Sequence, residues 1–181
     1  MKFVVVGDEC VGKTSIAEQL INHTFKNKYV STIAVGFYTY IVPINDKAFK
    51  VHIWDTSGRE RSRKITRAHF PRIICALIVY DITNRDSFTN ASTWLSEIRE
   101  SGNNHAVIML VGNKSDQMEN RVVTTEEATY FAEQNNLFFI EVSAQTRSNI
   151  DEAFMIVYSH INENIDRGKY DLSNGLCGIK L

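Results

Sequence analysis

A chain of 181 residues, 44% apolar and 23% charged, has the make-up of one globular domain with room for a full core. Its formal net charge of −1 leaves no electrostatic footprint for nucleic acid or an anionic membrane. Cys10, Cys75 and Cys177 have neither metal-ligand spacing nor an even disulfide count, so the expected compartment is a reducing cytoplasm.

The opening Met-Lys-Phe-Val-Val-Val is too short for a signal peptide before Asp8 and Glu9 interrupt it. No apolar run approaches the roughly 20 residues of a membrane span. Phe3–Val6 predicts a strand, and a helical pattern runs through Ile16, Ala17 and Leu20. Between them lies Gly7-Asp8-Glu9-Cys10-Val11-Gly12-Lys13-Thr14, the phosphate-loop spacing in its required strand–loop–helix setting. Such a loop turns successive N–H groups onto phosphate oxygens at the positive end of the next helix. Gly7 and Gly12 let the backbone turn and approach. Lys13 supplies a point charge, and the Thr14 hydroxyl is a ligand for Mg²⁺.

The polar stretch Asn22–Ser31 reads as a long loop, a length usually kept for function or disorder. Ile33–Ile44 and Ala48–Trp54 flank the turn Asn45-Asp46-Lys47 and predict an antiparallel hairpin. A charged segment, Arg59–Arg72, precedes the apolar strand Ile73–Tyr80. Phe88, Ala91, Trp94, Leu95 and Ile98 space as one amphipathic helix from Asp86. Val107–Val111 is a buried strand, and Thr124-x-x-Glu127 is a capping box for a helix to about Asn135. Leu137–Val142 is the last strand. Ser148-x-x-Asp151 reads as a second box, opening a helix through Ile150, Phe154, Val157 and Ile161. Alternating strands and helices predict a mostly parallel sheet covered on both faces, with ligands at the strands' carboxyl ends.

Two further motifs fall at such ends. Asn113-Lys114-Ser115-Asp116 offers one carboxylate for two adjacent donors. Guanine presents that pair, N1–H and the N2 amino group, and adenine does not. A site of this kind rejects the wrong base by roughly 10⁴–10⁵. The Lys114 stem is long enough to lie across the base. Asp55-x-x-Gly58 offers a carboxylate to a Mg²⁺ shell and a backbone N–H with no Cβ in the way.

Together with Thr32 and Ser143-Ala144, these segments resemble the five guanine-nucleotide motifs of Ras-like small GTPases, from about Phe3 to Ile161. Within that superfamily the chain is most similar to Rab proteins. Ser31-Thr-Ile-Ala-Val-Gly-Phe37, Ile53-Trp-Asp-Thr-Ser-Gly-Arg-Glu-Arg61, Val79-Tyr-Asp-Ile-Thr83, Trp94-Leu-x-Glu-Ile98 and Met109-Leu-Val-Gly-Asn-Lys114 carry that likeness. The resemblance implies a P-loop NTPase small G domain over 1–167, with a six-stranded, mostly parallel sheet, one antiparallel edge strand, and a flexible tail over 168–181. It implies a guanine-nucleotide switch of vesicle traffic that binds GTP or GDP with Mg²⁺ and hydrolyses GTP. The alternative is a nucleotide-bound interaction module that hydrolyses almost nothing. A P-loop kinase is the third reading, and Asn113–Asp116 speak against it.

The resemblance also assigns residues. Gly7, Asp8, Glu9, Cys10, Val11, Gly12, Lys13, Thr14, Ser15, Phe25, Tyr29, Thr32, Gly58, Asn113, Lys114, Asp116, Ser143, Ala144 and Gln145 fall in the nucleotide site. Thr14, Thr32 and Asp55 hold the metal. Lys13, Thr32, Gly58 and Arg59 stand at the chemistry. Phe25 lies at the guanine edge, Ala144 offers its N–H to guanine O6, and Ser143 braces that loop. Switch I, around Tyr29–Ala34, and switch II, Thr56–Phe70, order on the γ-phosphate. Effectors read Phe37, Trp54 and His69, although ordinary sheet packing explains the first two equally well. An exchange factor and an activating protein are further partners. Location is cytoplasmic, and peripheral on endomembranes if a lipid anchor exists.

Several residues depart from the family pattern. Arg59 takes the place of the catalytic glutamine that orients the attacking water, and arginine has no acceptor for that task, so intrinsic GTP hydrolysis is expected to be slow. Glu9 takes the place of a small residue near the γ-phosphate. One unit charge pair there, at about 4 Å, is worth around 4 kcal/mol at an effective dielectric of 20. Arg59 has three placements open to it: on Glu9, on the γ-phosphate, or in solvent. Ala34 and Gly36 replace a glycine and an aspartate of switch I, and Gln145 replaces a lysine. Cys177 is fifth from the end, one position off a C-a-a-X box. The chain is therefore expected to be either a fragment or a protein without the usual prenylation.

Overall fold

The computed structural model describes residues 1–26, 31–32, 35–44, 47–59 and 62–170. Tyr29, the segments around Ala34 and Glu60–Arg61, and Cys177 lie outside the described residues. Six strands form one sheet: β1 (Lys2–Val6), β2 (Val35–Ile44), β3 (Lys47–Thr56), β4 (Cys75–Asp81), β5 (Val107–Asn113) and β6 (Phe138–Glu141). Their order is β2-β3-β1-β4-β5-β6. Only β2 and β3 pair antiparallel, with Phe37 opposite Trp54, and the other pairings are parallel.

The sequence dictates two cores. β1 is nearly all valine and phenylalanine because both of its faces are covered. Phe3 and Val5 turn to one cluster, with Ile16 and Leu20 of α1 (Lys13–Asn22) and Phe154, Val157 and Ile161 of α6 (Ile150–Asp166). Val4 and Val6 turn to the other, with Trp94, Leu95 and Ile98 of α4 (Ala91–Ser101) and Ala128 and Ala132 of α5 (Thr125–Gln134). α2 (Arg63–Arg67) and α3 (Arg85–Thr89) are the remaining α-helices among the described residues, beside a short 3-10 turn at Met118–Asn120.

Three local expectations are corrected. The amphipathic run from Asp86 is two helices meeting at Asn90, which closes α3 and opens α4 while keeping αR geometry. Apolar spacing continues through such a junction, so periodicity does not reveal it. At Thr124 the N-cap half of the box forms, its side chain accepting from Glu127 N at 3.2 Å, while the Glu127 carboxylate pairs with Arg85. The box at Ser148 does not form. Asn149 caps α6 at φ 58°, where no side-chain cap forms, and Asp151 instead pairs with Arg147 at 2.9 Å. Finally, Tyr170, placed in a loose tail by sequence, is 4% exposed and donates its hydroxyl to His105 O at 2.7 Å.

Candidate functional site

The carboxyl ends of β1, β3 and β5 open into a cavity of about 560 Å³. Its floor is the turn between β1 and α1. Gly12 caps α1 in the left-handed region (φ 97°) with no side-chain bond, and no acidic residue occupies the first turn. The helix therefore presents unsatisfied N–H groups and a positive end to the cavity. Lys13, 6% exposed, donates Nζ to Gly7 O (3.0 Å) and Asp8 O (2.6 Å), which ties the loop to its own helix. Burial lowers the Lys13 pKa to about 8, a cost that a bound polyanion would offset. Ser15, Cys10 and Glu9 also border the cavity.

Thr14, Thr32 and Asp55 converge although they are far apart in sequence. Thr14 Oγ1 donates to Asp55 Oδ2 at 2.6 Å and lies 2.8 Å from Thr32 Oγ1. Thr32 Oγ1 is 3.4 Å from the same carboxylate oxygen. The other oxygen, Oδ1, is buried without a hydrogen-bond partner among the described residues. Burial raises the Asp55 pKa, opposed by the Thr14 bond and the Lys13 charge. A buried carboxylate with an unsatisfied oxygen beside two hydroxyls is a donor set suited to a hard divalent cation.

At the far end, Asn113 straps two loops together. Its Nδ2 donates to Val11 O (2.8 Å) and its Oδ1 accepts from Ala144 N (3.1 Å). The Ala144 N–H, expected to face guanine O6, is thus already given to Asn113. Gln19 Nε2 holds Ala144 O at 2.7 Å. Ser143 donates Oγ to Asp116 Oδ1 and accepts from Thr146 N at 3.0 Å, tying the two segments together. Lys114 is in the left-handed region (φ 68°), and its Nζ pairs with Asp81 Oδ2 at 2.5 Å. Phe25 and Gln145 line the mouth.

Residues 2–163 match the model of the Ras family. The chain belongs to the Ras family. It is a GTP-binding small GTPase, of a family whose members cycle between GTP and GDP, typically with Mg²⁺, and engage effectors, exchange factors and activating proteins. None of the helices, among the described residues, is long and apolar enough to cross a membrane.

Within this Ras-family site the structure gives two placements that the sequence leaves open. The Asp8 carboxylate turns out of the cavity, accepting from Asn90 Nδ2 (2.7 Å) and Trp94 Nε1 (3.0 Å). Within the phosphate loop it is the Asp8 carbonyl that takes part, accepting from Lys13 Nζ. Arg59 does not extend into solvent alone: its Nε donates to Glu9 Oε1 at 3.0 Å, with side chains 35% and 39% exposed. Ser31 Oγ lies 3.4 Å from the same oxygen. Asp81, Gln19, Asn90 and Trp94 escaped sequence reasoning as site residues. Asp81 alone carried a signal, since it follows a buried strand as Asp55 does.

Glycines set the tolerances here. A Cβ on Gly12 would sit 2.1 Å from Asn113 Nδ2, and one on Gly58 2.2 Å from Asp8 C. Gly12→Ala is expected to break the Asn113 strap and to strain a φ of 97°, at about 1–3 kcal/mol. Fluorescent-GDP titration should show affinity reduced about tenfold or more, with the fold retained by circular dichroism.

Proposed function

We propose that this small GTPase is a Rab-type switch whose GTP hydrolysis is slow. The observation that carries the reading is Arg59 in the water-positioning slot, bonded to Glu9 rather than offering an acceptor. Lys13 and the N–H groups at the start of α1 hold phosphates. Thr14, Thr32 and Asp55 hold Mg²⁺, which would neutralise charge on the β- and γ-phosphates. Asp116 accepts from guanine, Ser143 fixes its orientation, and the Lys114 stem, steered by Asp81, covers the base.

The Rab-type partner reading rests on the aromatic cluster. Phe37 meets Trp54 edge-on at 4.9 Å, and Trp54 stacks on His69 at 4.5 Å. Phe37 remains 52% exposed, more than sheet packing alone requires. Burial lowers the His69 pKa, which favours the neutral ring in that stack. An effector with an apolar helix or loop fits this face. Cytoplasmic location and traffic on endomembranes follow from the same reading.

A nearly non-hydrolysing module is the second reading, favoured by the missing acceptor at Arg59. The first test is Asp55→Asn. It keeps the shape of the metal set and removes its charge, so Mg²⁺ should no longer slow GDP release, whereas in wild type chelation should speed release at least tenfold. A wild type indifferent to chelation contradicts the metal assignment.

A further inference from the structure

The carboxylate of Glu97 is 4% exposed, on α4, and takes no part in the nucleotide cavity. Its Oε1 receives Arg67 Nη2 at 3.1 Å and Arg63 Nη1 at 3.7 Å, while Oε2 has no partner among the described residues. Burying a charge this way is unfavourable unless paired, so it holds its arginines in place. Arg63 also lies over the Trp94 ring, 4.8 Å from its centroid. The same indole donates Nε1 to Asp8 of the phosphate loop. The chain of contacts runs Asp8, Trp94, Arg63, Glu97, Arg67. It joins the phosphate loop to α2 through one rigid helix, and Ser62 N→Arg59 O (2.9 Å) links α2 back to Arg59.

We infer that Glu97 is a positioning residue that seats α2 on α4, and that Trp94 is the shared post fixing α2 and the phosphate loop to each other. Three features favour this over ordinary packing. α2 is only five residues long and cannot hold its own geometry. Its Ile65 is 48% exposed, so no large apolar side chain of α2 itself seats it, and the nearest apolar anchor is Phe70, just beyond the helix. Asp8, Arg63 and Arg67 are polar groups that apolar packing would not place on one helix face. α4 thereby fixes the relation between Arg59 and the phosphates. The inference rests on the proposed switch only in treating 62–70 as its moving segment.

The test is hydrogen exchange on the full chain loaded with GDP. Glu97→Gln keeps the shape and removes the charge, and exchange over 62–70 should rise roughly tenfold. Glu97→Asp, which keeps the charge, should recover part of the protection. Trp94→Phe keeps a ring under Arg63 and removes the donor to Asp8, so exchange should rise over 8–11 and GDP should leave faster. Exchange in β4 should stay unchanged in all three, which separates local release from global unfolding. Unchanged protection over 62–70 in folded Glu97→Gln, or no recovery in Glu97→Asp, overturns the inference. Failure to load guanine nucleotide would instead contradict the proposed function, and the same comparison then runs on the nucleotide-free chain.

Discussion

Arg59→Gln is expected to hydrolyse bound GTP about tenfold faster than wild type, or more, in single turnover with Mg²⁺. The reason is an acceptor. A glutamine amide can hold a water by both donor and acceptor, and a guanidinium can only donate. The Glu9–Arg59 bond does not itself explain slow chemistry. Both side chains are more than a third exposed, and pairs of that kind are worth about 0–1 kcal/mol. A γ-phosphate, with more charge than one carboxylate, can draw Arg59 away. The pair matters for affinity instead. Without Arg59, Glu9 faces the phosphates with less compensation, so Arg59→Gln should bind GTP less tightly relative to GDP. Glu9→Ala in the same chain should restore the ratio. If Arg59 is drawn onto the γ-phosphate and stabilises developing charge, as an arginine finger in cis does, Arg59→Ala hydrolyses more slowly than wild type. Equal rates for wild type and Arg59→Gln would remove the basis for a slow timer.

Asp116→Ala should weaken GDP binding by roughly 10²–10⁴. Two hydrogen bonds to a charged acceptor are lost, at about 1.5–3 kcal/mol each. It should also narrow the preference for GTP over ATP, because the remaining contacts in that loop are not specific for guanine. Ser143→Ala should do the same more mildly, since it orients Asp116 without meeting the base in this reading. Competition by ATP against labelled GDP checks both. A wild-type preference retained in Asp116→Ala would show that base selection lies elsewhere.

The strongest parts of the site were legible because their chemistry is contiguous. Gly7–Thr14 and Asn113–Asp116 each carry backbone turns, charge and spacing in a few residues, directly after buried strands. The sheet was equally legible from the largely apolar β1 and β4 and from the hairpin of β2 and β3. Contacts between distant elements were not. Nothing around Asp8 announces that its carboxylate turns to Asn90 and Trp94, because that depends on the rotation of α4 against the sheet. The bond from Ala144 to Asn113 joins two loops whose approach only the fold sets. The failed box at Ser148 has a similar origin. Its carbonyl accepts from Ser143 N at 3.0 Å, and Asn149 turns left-handed to enter α6. Glu97 reads as a surface helix charge until the two arginines of α2 are brought over it. Arg59 and Glu9 stand between these cases: their oddity was visible, and their pairing was one of three placements.

The most direct measurement is a single-turnover time course. The purified chain is loaded with GTP, given Mg²⁺, and γ-phosphate release is followed beside Arg59→Gln, with bound nucleotide extracted and identified. The expected result is guanine nucleotide in the wild type and phosphate release that Arg59→Gln accelerates. Bound adenine nucleotide, or wild-type release as fast as that of Arg59→Gln, would contradict the account.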